Sequence, residues 1–419
     1  MTMLKQIFAP LFALKGNPRY AVFTEPLWGI PFNLYIPFLT LYMASFGLED
    51  TDIGILLSVG LAVQMVAGIF SGVLTDKFGR RKTNIVWDIV AWTIPCLVWA
   101  FAQDFRWFLV AAIFNGLWPI GSNAWECLLV EDAEPNEIVN LFNWVYIAGL
   151  LAVFFAPISG FLIAMYSLEA VMRILLIFAA VSMTTKFICH FTFAKETKQG
   201  EVRMRETKNV PIIHLLAQYK GVIKQIFTTP ATVRVLVLIT ILHIQQLIAS
   251  TFFSLYVVED LGLRDEHMVV FSVVRGAIML LFFLVFQRIL NRYPIYAVML
   301  GGLMLYISGY ILLIFAPAGL IFPLIIFTAI DACAAALFLP RRDSLVILNV
   351  DAGERARIRA MMMVIMLGAA SPFGFISGIL SGIDRRIPFA ACLGLFLLMG
   401  IIVLKERRQN NETSQRATA

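Results

Sequence analysis

The sequence predicts an all-α polytopic membrane protein with about twelve transmembrane helices, arranged as two six-helix halves. The composition is the first reason, because 60% of the residues are hydrophobic and only 14% are charged, which excludes an ordinary soluble domain. The second reason is a series of apolar runs of about 20 residues each, the length that crosses a bilayer. The third is internal repetition: the shift that places 76–79 on 291–294 also places Pro157 on Pro372.

The first half contains six apolar runs separated by short polar turns. The first run, 20–44, includes Pro26, Pro31 and Pro37, and each proline removes a backbone donor and predicts a kink. The next five runs are 53–74, 85–102, 107–130, 138–165 and 169–193. Residues 1–14 lack the basic start and cleavage site of a signal peptide, so we expect a short segment on the membrane surface.

The composition becomes polar and basic after the sixth run, which predicts a central linker and a second half. The six apolar runs of this half are 233–258, 268–290, 295–315, 320–339, 360–380 and 388–404. Loops as long as the linker are commonly flexible connectors, and the polar tail is expected to be disordered. We therefore predict an N-terminal bundle at 1–194, a cytoplasmic linker at 195–231, a C-terminal bundle at 232–404 and a cytoplasmic tail at 405–419.

The charges in the turns predict the orientation of the chain. Basic residues follow the even-numbered runs, as at Arg80 and Arg288, whereas the odd-numbered turns are mostly acidic or neutral. Arg385 and Arg386 are the exception. Because cytoplasmic loops carry an excess of Lys and Arg, both termini are expected in the cytoplasm of a multi-pass protein of the plasma or inner membrane. The same bias explains the formal net charge of +6 without a nucleic-acid partner.

Sequence motifs of enzymes are missing from the chain. It contains no phosphate-binding loop, no H-E-x-x-H and no nucleophile elbow, so we predict neither an enzyme nor a cofactor. The five cysteines lie inside apolar runs without the spacing of metal ligands. We therefore expect packing residues there, with no metal site and no disulfides.

One charged hairpin lies between the second and third runs and carries the pattern G-x-L-x-D-x-x-G-R-R-K, from Gly72 to Lys82. The pattern resembles the signature loop of the major facilitator superfamily, which has it between the second and third helices. The resemblance implies transport by alternating access, with a substrate site near the bilayer midplane between two halves. It also implies a conformational gate made of Gly72, Asp76, Gly79, Arg80, Arg81, Glu131 and Asp132.

In that family the aspartate of the signature faces the end of the eleventh helix, and the arginine reaches an acid at the end of the fourth. Either Glu131 or Asp132 supplies that acid here. The gate contacts form only when the cytoplasmic side is closed, so Asp76→Asn and Arg80→Ala are expected to impair transport in a folded protein. The run Lys195 to Lys198 is similar to the E-T-K run that closes the sixth helix in the family.

Ionisable residues inside apolar runs are costly and are functional candidates by default. In the family, helices 1, 4, 7 and 10 line the cavity, helices 2, 5, 8 and 11 support it, and helices 3, 6, 9 and 12 lie outside. This topology favours five of the residues: Glu25, Glu126, His243, Arg275 and Asp331. Simpler explanations stay open: Glu25 and Glu126 as side chains that reach interfacial water, His243 as a core histidine, and Arg275 with Asp331 as a structural ion pair. Asp88, Arg173 and Lys186 are interpreted as structural.

The candidates for proton coupling are Glu126, Asp331 and Glu25. We prefer Glu126 because Ala112 replaces the arginine that many relatives carry in the fourth helix, so no such cation holds Glu126 ionised. Arg275 would hold Asp331 ionised, which argues against Asp331 as the carrier.

Aromatic and amide side chains on the cavity helices suit a partly apolar organic ligand or the face of a sugar, although ordinary helix packing explains them as well. The candidates for the substrate cavity are Trp28, Asn33, Asn115, Trp118, Asn123, Trp144, His243, Gln246 and Arg275.

The resulting functional prediction is a monomeric transporter whose partners are the lipid bilayer, protons and a small organic solute. Proton-driven efflux is the preferred mode. Its sequence support is the fifth run, where Ala156, Pro157 and Gly160 partly match an exporter motif and Phe161 departs from it. The alternative is proton-coupled uptake of a sugar-like or other small metabolite, and a non-transporting membrane sensor is a third possibility.

Overall fold

The computed structural model of this chain describes residues 14–133, 138–217, 219–286, 293–348 and 355–418. Those ranges contain helices and no strand, as the predicted fold class requires. The surface segment predicted at 1–14 lies outside the described residues except for its last residue. Residues 291–292 of the repeat at 291–294 also lie outside them.

The first helix, α1, runs over Gly16–Ser45 and is shaped by its prolines. Its helical bonding is interrupted at Thr24 and Glu25, directly before Pro26. It tightens to a 3₁₀ turn over Ile36–Phe38, whereas Pro31 lies inside the continuous helix Pro26–Tyr35. Two of the three prolines therefore break the regular helix, since a proline nitrogen has no hydrogen to donate.

Five further helices complete the predicted first half. They are α2 (Asp50–Phe78), α3 (Arg80–Ala100), α4 (Phe105–Asn115 and Trp118–Val130), α5 (Ile138–Val153 and Pro157–Met165) and α6 (Leu168–Phe193). The breaks in α4 and α5 precede Pro119 and Pro157, which occupy the first turn of the piece that follows. Within α3, one π-helical turn over Ile89–Thr93 precedes Pro95.

The linker is not the flexible connector that its length predicted. It folds into three helices, α7 (Lys198–Thr207), α8 (Ile212–Ala217) and α9 (Tyr219–Thr228). Thr197 caps α7, because its hydroxyl accepts a hydrogen bond from the backbone N–H of Gly200, as Ser and Thr do at helix starts.

The second half is also helical. Its helices are α10 (Pro230–Asp260), α11 (Met268–Val285), α12 (Ile295–Ile314), α13 (Phe322–Leu348), α14 (Arg355–Ile383) and α15 (Ile387–Thr418). The disordered tail predicted from 405 is wrong up to 418, since α15 continues through it. The tail residues are mostly good helix formers, and Glu406 forms an ion pair with Arg234 of α10.

Ten helices in the described ranges are long and apolar enough to cross a membrane. The fourth and eighth predicted spans correspond to the two pieces of α4 and to α11. The helix inventory therefore agrees with the prediction of about twelve spans.

The helices pack into two units. One contains Met1–Ile36 and Val59–Lys220, and the other contains Pro37–Ser58 and Gly221–Ala419. The segment Pro37–Ser58, which the sequence assigned to the N-terminal bundle, thus packs with the second unit. The contact depends on glycine, because a Cβ added at Gly54 would lie 2.6 Å from the carbonyl oxygen of Gly374. Ser371 reinforces it with a 2.8 Å hydrogen bond to the Ser58 carbonyl.

Candidate functional site

The signature hairpin turns at Gly79, whose φ of +84° is a conformation that side chains with a Cβ rarely adopt. A Cβ at this position would also lie 2.6 Å from the Glu196 carboxylate and 2.8 Å from the sulfur of Met204. That carboxylate accepts hydrogen bonds from the backbone N–H groups of Arg80 at 3.0 Å and Arg81 at 3.2 Å. An acid from the linker therefore caps the start of α3, where the helix dipole favours negative charge.

Arg80 is the central cation of the hairpin, and its side chain is only 4% exposed. It donates to both carboxylate oxygens of Glu131, with distances of 2.9 and 3.0 Å, and pairs with Asp76 at 3.0 Å. Of the two acids that the sequence offered, Glu131 is therefore the partner. Asp132 instead accepts a 3.3 Å hydrogen bond from the backbone N–H of Lys198.

The linker helix α7 covers the outer side of the hairpin. Arg203 contacts Asp76 at 3.3 Å, and Lys77 donates to the Val210 carbonyl at 2.8 Å. Behind the hairpin, the hydroxyl of Tyr219 lies 2.9 Å from the position of a Cβ at Gly72. The E-T-K run thus belongs to the hairpin site, although the run and the hairpin are two separate matches to the family in the sequence.

Arg81 is directed away from this cluster. Its Nε donates to the Phe191 carbonyl at 2.6 Å, and its guanidinium lies 4.4 Å from the centroid of the Phe191 ring. Arg81 therefore ties the start of α3 to the end of α6.

A second cluster of ionisable residues is buried inside the first unit. Lys186 of α6 forms a 2.7 Å ion pair with Glu25, which lies at the break in α1. The Lys186 ammonium also lies 5.8 Å from the ring of Trp28 and 5.4 Å from that of Trp125. One turn further along α6, a ring nitrogen of His190 is 2.8 Å from the Thr24 hydroxyl. Of the residues in this cluster, only Glu25 and Trp28 were predicted as functional candidates, and Lys186 was interpreted as structural.

Asp88 of α3 is buried beside the same cluster. Its carboxylate accepts a 2.5 Å hydrogen bond from Asn84, one turn earlier. Gly121 of α4 makes room for it, because a Cβ at that position would collide with the carboxylate. Lys186 and Glu25 act electrostatically on Asp88. Asp88 was interpreted as structural because α3 is an outer helix in the family. Its position deep inside an apolar run was the only signal in the sequence for a functional role.

The other predicted residues of the first unit are dispersed. Glu126 is exposed, and its role as a proton carrier stays a prediction. The predicted amides bond within the unit: Asn33 to the Gly29 carbonyl at 2.7 Å, Asn115 to the Ala91 carbonyl at 2.9 Å, and Asn123 to the Thr75 hydroxyl at 3.1 Å.

The predicted tryptophans also lie apart. Trp28 stacks on Phe32 with a centroid distance of 4.6 Å, and Trp118 is half-buried. Trp144 lines an apolar cavity of about 350 Å³ between α1 and α5, together with Pro26 and Ile147. The assignment of these residues to a substrate cavity stays a prediction.

In the second unit, Arg275 of α11 and Asp331 of α13 form an ion pair. The aspartate side chain is 5% exposed and the arginine 40%, so the pair extends from the helix packing to an accessible surface. His243 and Gln246 of α10 are half-buried, and Nε2 of His243 has no hydrogen-bond partner among the described residues. Between them, Gln245 donates a 2.5 Å hydrogen bond to the hydroxyl of Tyr310.

The structure explains Arg385, which departed from the charge pattern of the turns. Its guanidinium donates to Asp50 at 3.0 and 3.1 Å and to Asp260 at 2.9 Å, and it also pairs with Glu259. Burial lowers the pKa of Arg385, but its hydrogen bonds to Asp50 and Asp260 outweigh burial and raise the net pKa above its usual value. In the sequence, this cluster was indicated by Arg385 as a basic residue in an odd-numbered turn, together with the acidic turns at 49–52 and 259–260.

Comparison with protein families decides the identity of this helical chain. The model of the Major Facilitator Superfamily matches residues 29–339, which is more than half of the sequence. The chain belongs to the Major Facilitator Superfamily. Proteins of this superfamily are membrane transporters rather than enzymes.

Several curated members of the superfamily share parts of the sequence. The uncharacterized MFS-type transporter YqjV of Bacillus subtilis is 28% identical over 130 residues, which are 30% of this chain and 32% of the relative. A probable 4-methylmuconolactone transporter of Cupriavidus pinatubonensis is 31% identical over 22% of each chain. The quinolone resistance protein NorA of Staphylococcus aureus is 27% identical over 20% of this chain and 22% of its own. These matches span a third or less of each relative.

The fold extends further than the sequence similarity. A crystal structure of the nucleoside transporter NupG aligns with a TM-score of 0.69, covering 93% of this chain and 99% of NupG, at 14% identity. At that identity the likeness concerns the superfamily fold alone.

Proposed function

We propose that this superfamily member exports a small organic solute in exchange for protons by alternating access. The observation that carries the proposal is the buried cluster of Glu25, Lys186 and Asp88 in the first unit. Ionisable side chains inside a membrane are expensive and mark ion or substrate pathways. The cluster contains two acids and one lysine, so the binding of one proton makes a negatively charged cluster neutral.

The hairpin supports alternating access, because its contacts are suited to two states. Asp76 pairs with Arg80 of its own hairpin and with Arg203 of the linker. Charged contacts at the end of a helix bias an equilibrium between two conformations only if the contacts differ between the two conformations. We place this hairpin and both termini on the cytoplasmic side of the cell membrane, in agreement with the charge pattern of the turns.

Two directions of transport are candidates. Export is supported by the partial exporter motif in α5 and by the relative NorA. Uptake by proton symport is the second candidate. Its substrate class agrees with the relative named as a probable transporter of a small metabolite, 4-methylmuconolactone, at 31% identity over 96 residues.

Membrane vesicles of both orientations test the proposal, with a quinolone and 4-methylmuconolactone as probes. In inside-out vesicles with an acidic lumen, an antiporter accumulates the probe and the probe dissipates the pH gradient. In right-side-out vesicles, a symporter accumulates the probe when the outside is acidic. Solute exchange that is indifferent to the proton gradient in both preparations would contradict proton coupling.

A further inference from the structure

We infer that Asp88 is the group that binds the transported proton in the first unit, with Asn84 as its hydrogen-bond partner and the Glu25–Lys186 ion pair as its electrostatic control. The inference rests on the proposed proton coupling. It assigns the proton to a residue that the family pattern does not single out.

The depth of Asp88 is the first argument. It lies eight residues after Arg80, which is about 12 Å along α3 at 1.5 Å per residue. Its side chain is buried, between Asn84 on its own helix and Gly121 on α4. Gly121 has no Cβ at the place where one would collide with the carboxylate, so the carboxylate fills a space that only glycine leaves open.

The balance of charge is the second argument. Lys186 from α6 is paired with Glu25 from α1 at 2.7 Å, and among the described residues Asp88 forms no ion pair within 4.0 Å. Lys186 and Glu25 are the charged groups that act on Asp88, with opposite sign, while α4 faces it with Gly121. His190, one turn after Lys186 on α6, contacts the Thr24 hydroxyl at 2.8 Å. A buried carboxylate without a cation of its own is costly when ionised, and proton binding removes that cost.

The Asn84 amide is the third argument. Its nitrogen donates to Asp88 at 2.5 Å, while its oxygen is buried and has no partner among the described residues. An ionised Asp88 accepts from the amide N–H. When the side-chain amide flips, its oxygen and nitrogen exchange places, and a protonated Asp88 then donates its O–H to the amide oxygen. The flip needs little extra space, because the two ends of an amide have nearly the same shape. Asn84 can therefore hydrogen-bond to both protonation states, as a proton-binding site requires.

Glu25 and Glu126 fit the role less well. Glu25 is already paired with Lys186, and the side chain of Glu126 is exposed. Neither acid is both buried and without an ion-pair partner. In our assignment, Glu25 neutralises Lys186, and a change in the Glu25–Lys186 distance would release or bind the proton on Asp88.

Infrared difference spectra of the purified full-length protein, recorded between neutral and alkaline pH, where ordinary carboxyl groups stay ionised, test the assignment without any solute. We expect a carboxylic-acid C=O band in the wild type that is absent in Asp88→Asn and present in Glu126→Gln and Asp331→Asn. Should Asp88→Asn misfold, Asn84→Leu decides instead. It removes the hydrogen-bond partner and should move the band to higher frequency. A complete band in Asp88→Asn, or an unmoved band in Asn84→Leu, would overturn the assignment.

Vesicle transport separates this inference from the proposed function. With whichever probe the wild type carries, gradient-driven accumulation by Asp88→Asn should fall by about 100-fold, a typical loss when a proton-transfer group is removed. Solute exchange without a gradient should continue. Undiminished accumulation by Asp88→Asn refutes the inference alone. A wild type that shows the Asp88 band but no proton flux refutes the proposed coupling and leaves the proton assigned to Asp88.

Discussion

Several buried charges in this protein lie beside a residue of opposite charge. Glu25 is paired with Lys186, Arg80 with two acids, and Asp331 with Arg275. Removing one member of such a pair leaves the other uncompensated, which generally costs more than the pair contributes. Substitutions at these positions therefore report on pairing only when both members are changed.

The pair of Arg275 and Asp331 allows such a test. Asp331→Leu alone should destabilise the protein by between about 1 kcal/mol, as for a solvated pair, and about 3 kcal/mol, as for a buried one. The double variant with Arg275→Leu should be more stable than the sum of the single losses predicts. Thermal unfolding in detergent measures the coupling. Losses that simply add would show that the contact contributes no interaction energy.

Asp265, in the turn before α11, should make stability depend on pH. Burial and the neighbouring Glu266 raise the pKa of Asp265, so the folded protein binds this proton more tightly than the unfolded chain. Stability therefore falls as the pH rises through the pKa of the folded state. Asp265→Asn, which stays neutral, should raise the melting temperature by a few degrees at neutral pH and hardly at all at strongly acidic pH. An equal gain at both would refute the linkage.

At the scale of helices and turns, one glycine and one capping acid define the hairpin. Gly79 provides a positive φ, and Glu196 satisfies the first two N–H groups of α3. The linker helix α7 then begins at a threonine cap directly after that acid. The first backbone N–H groups of α3 need an acceptor, and the acid that supplies it determines where the linker docks.

Gly79→Ala should be destabilising because alanine strains this backbone conformation and meets Glu196. A cost of about 1–3 kcal/mol is expected for such strain. Gly149→Ala is the matched control, since nothing lies within 4 Å of a Cβ at that helical position and alanine favours helix by about 1 kcal/mol. Thermal unfolding of both variants gives the comparison, and equal melting temperatures would contradict the role of Gly79.

Glu196→Ala should release the linker. Loss of a cap costs about 0.5–2 kcal/mol, and α7 contains Lys198, Arg203 and Arg205 as trypsin sites. Faster cleavage between 198 and 207 is therefore expected. Glu201→Ala is the control, because that exposed acid on the same helix makes only a 3.8 Å pair with Arg205. A cleavage rate equal to that of the control would mean that the cap does not hold the linker.

At the scale of the molecule, the chain forms two packing units whose boundary does not follow the order of the spans. The segment Pro37–Ser58 packs with the second unit, where Asp50 joins Asp260 around Arg385. The hairpin cluster belongs wholly to the first unit. Each unit thus has a charge cluster at a turn, and such clusters are suited to stabilising one of two conformations.

Asp76→Asn should impair transport while leaving the fold intact. Arg80 is almost fully buried against Glu131, so Arg80→Ala would also leave an unpaired acid and confuse folding with function. Asp76→Asn retains the shape and weakens the pairs with Arg80 and Arg203. A bias of about 1–2 kcal/mol corresponds to a 5–30-fold change in the ratio of two states. Probe flux in vesicles measures the effect, with Asp132→Asn as control. Wild-type turnover in Asp76→Asn would exclude a gating role.

The sequence by itself determined the class of fold, the positions of the spans and the place of the hairpin. Bilayer thickness imposes long apolar runs, and proline and glycine act on their own neighbours, so these features are local. Only the tertiary structure selected Glu131 over Asp132 for Arg80, and paired Glu25 with Lys186, 161 positions away. It also docked the linker on the hairpin and placed Asp88 against Gly121. Those contacts depend on which helix faces meet, and the packing of whole helices decides that.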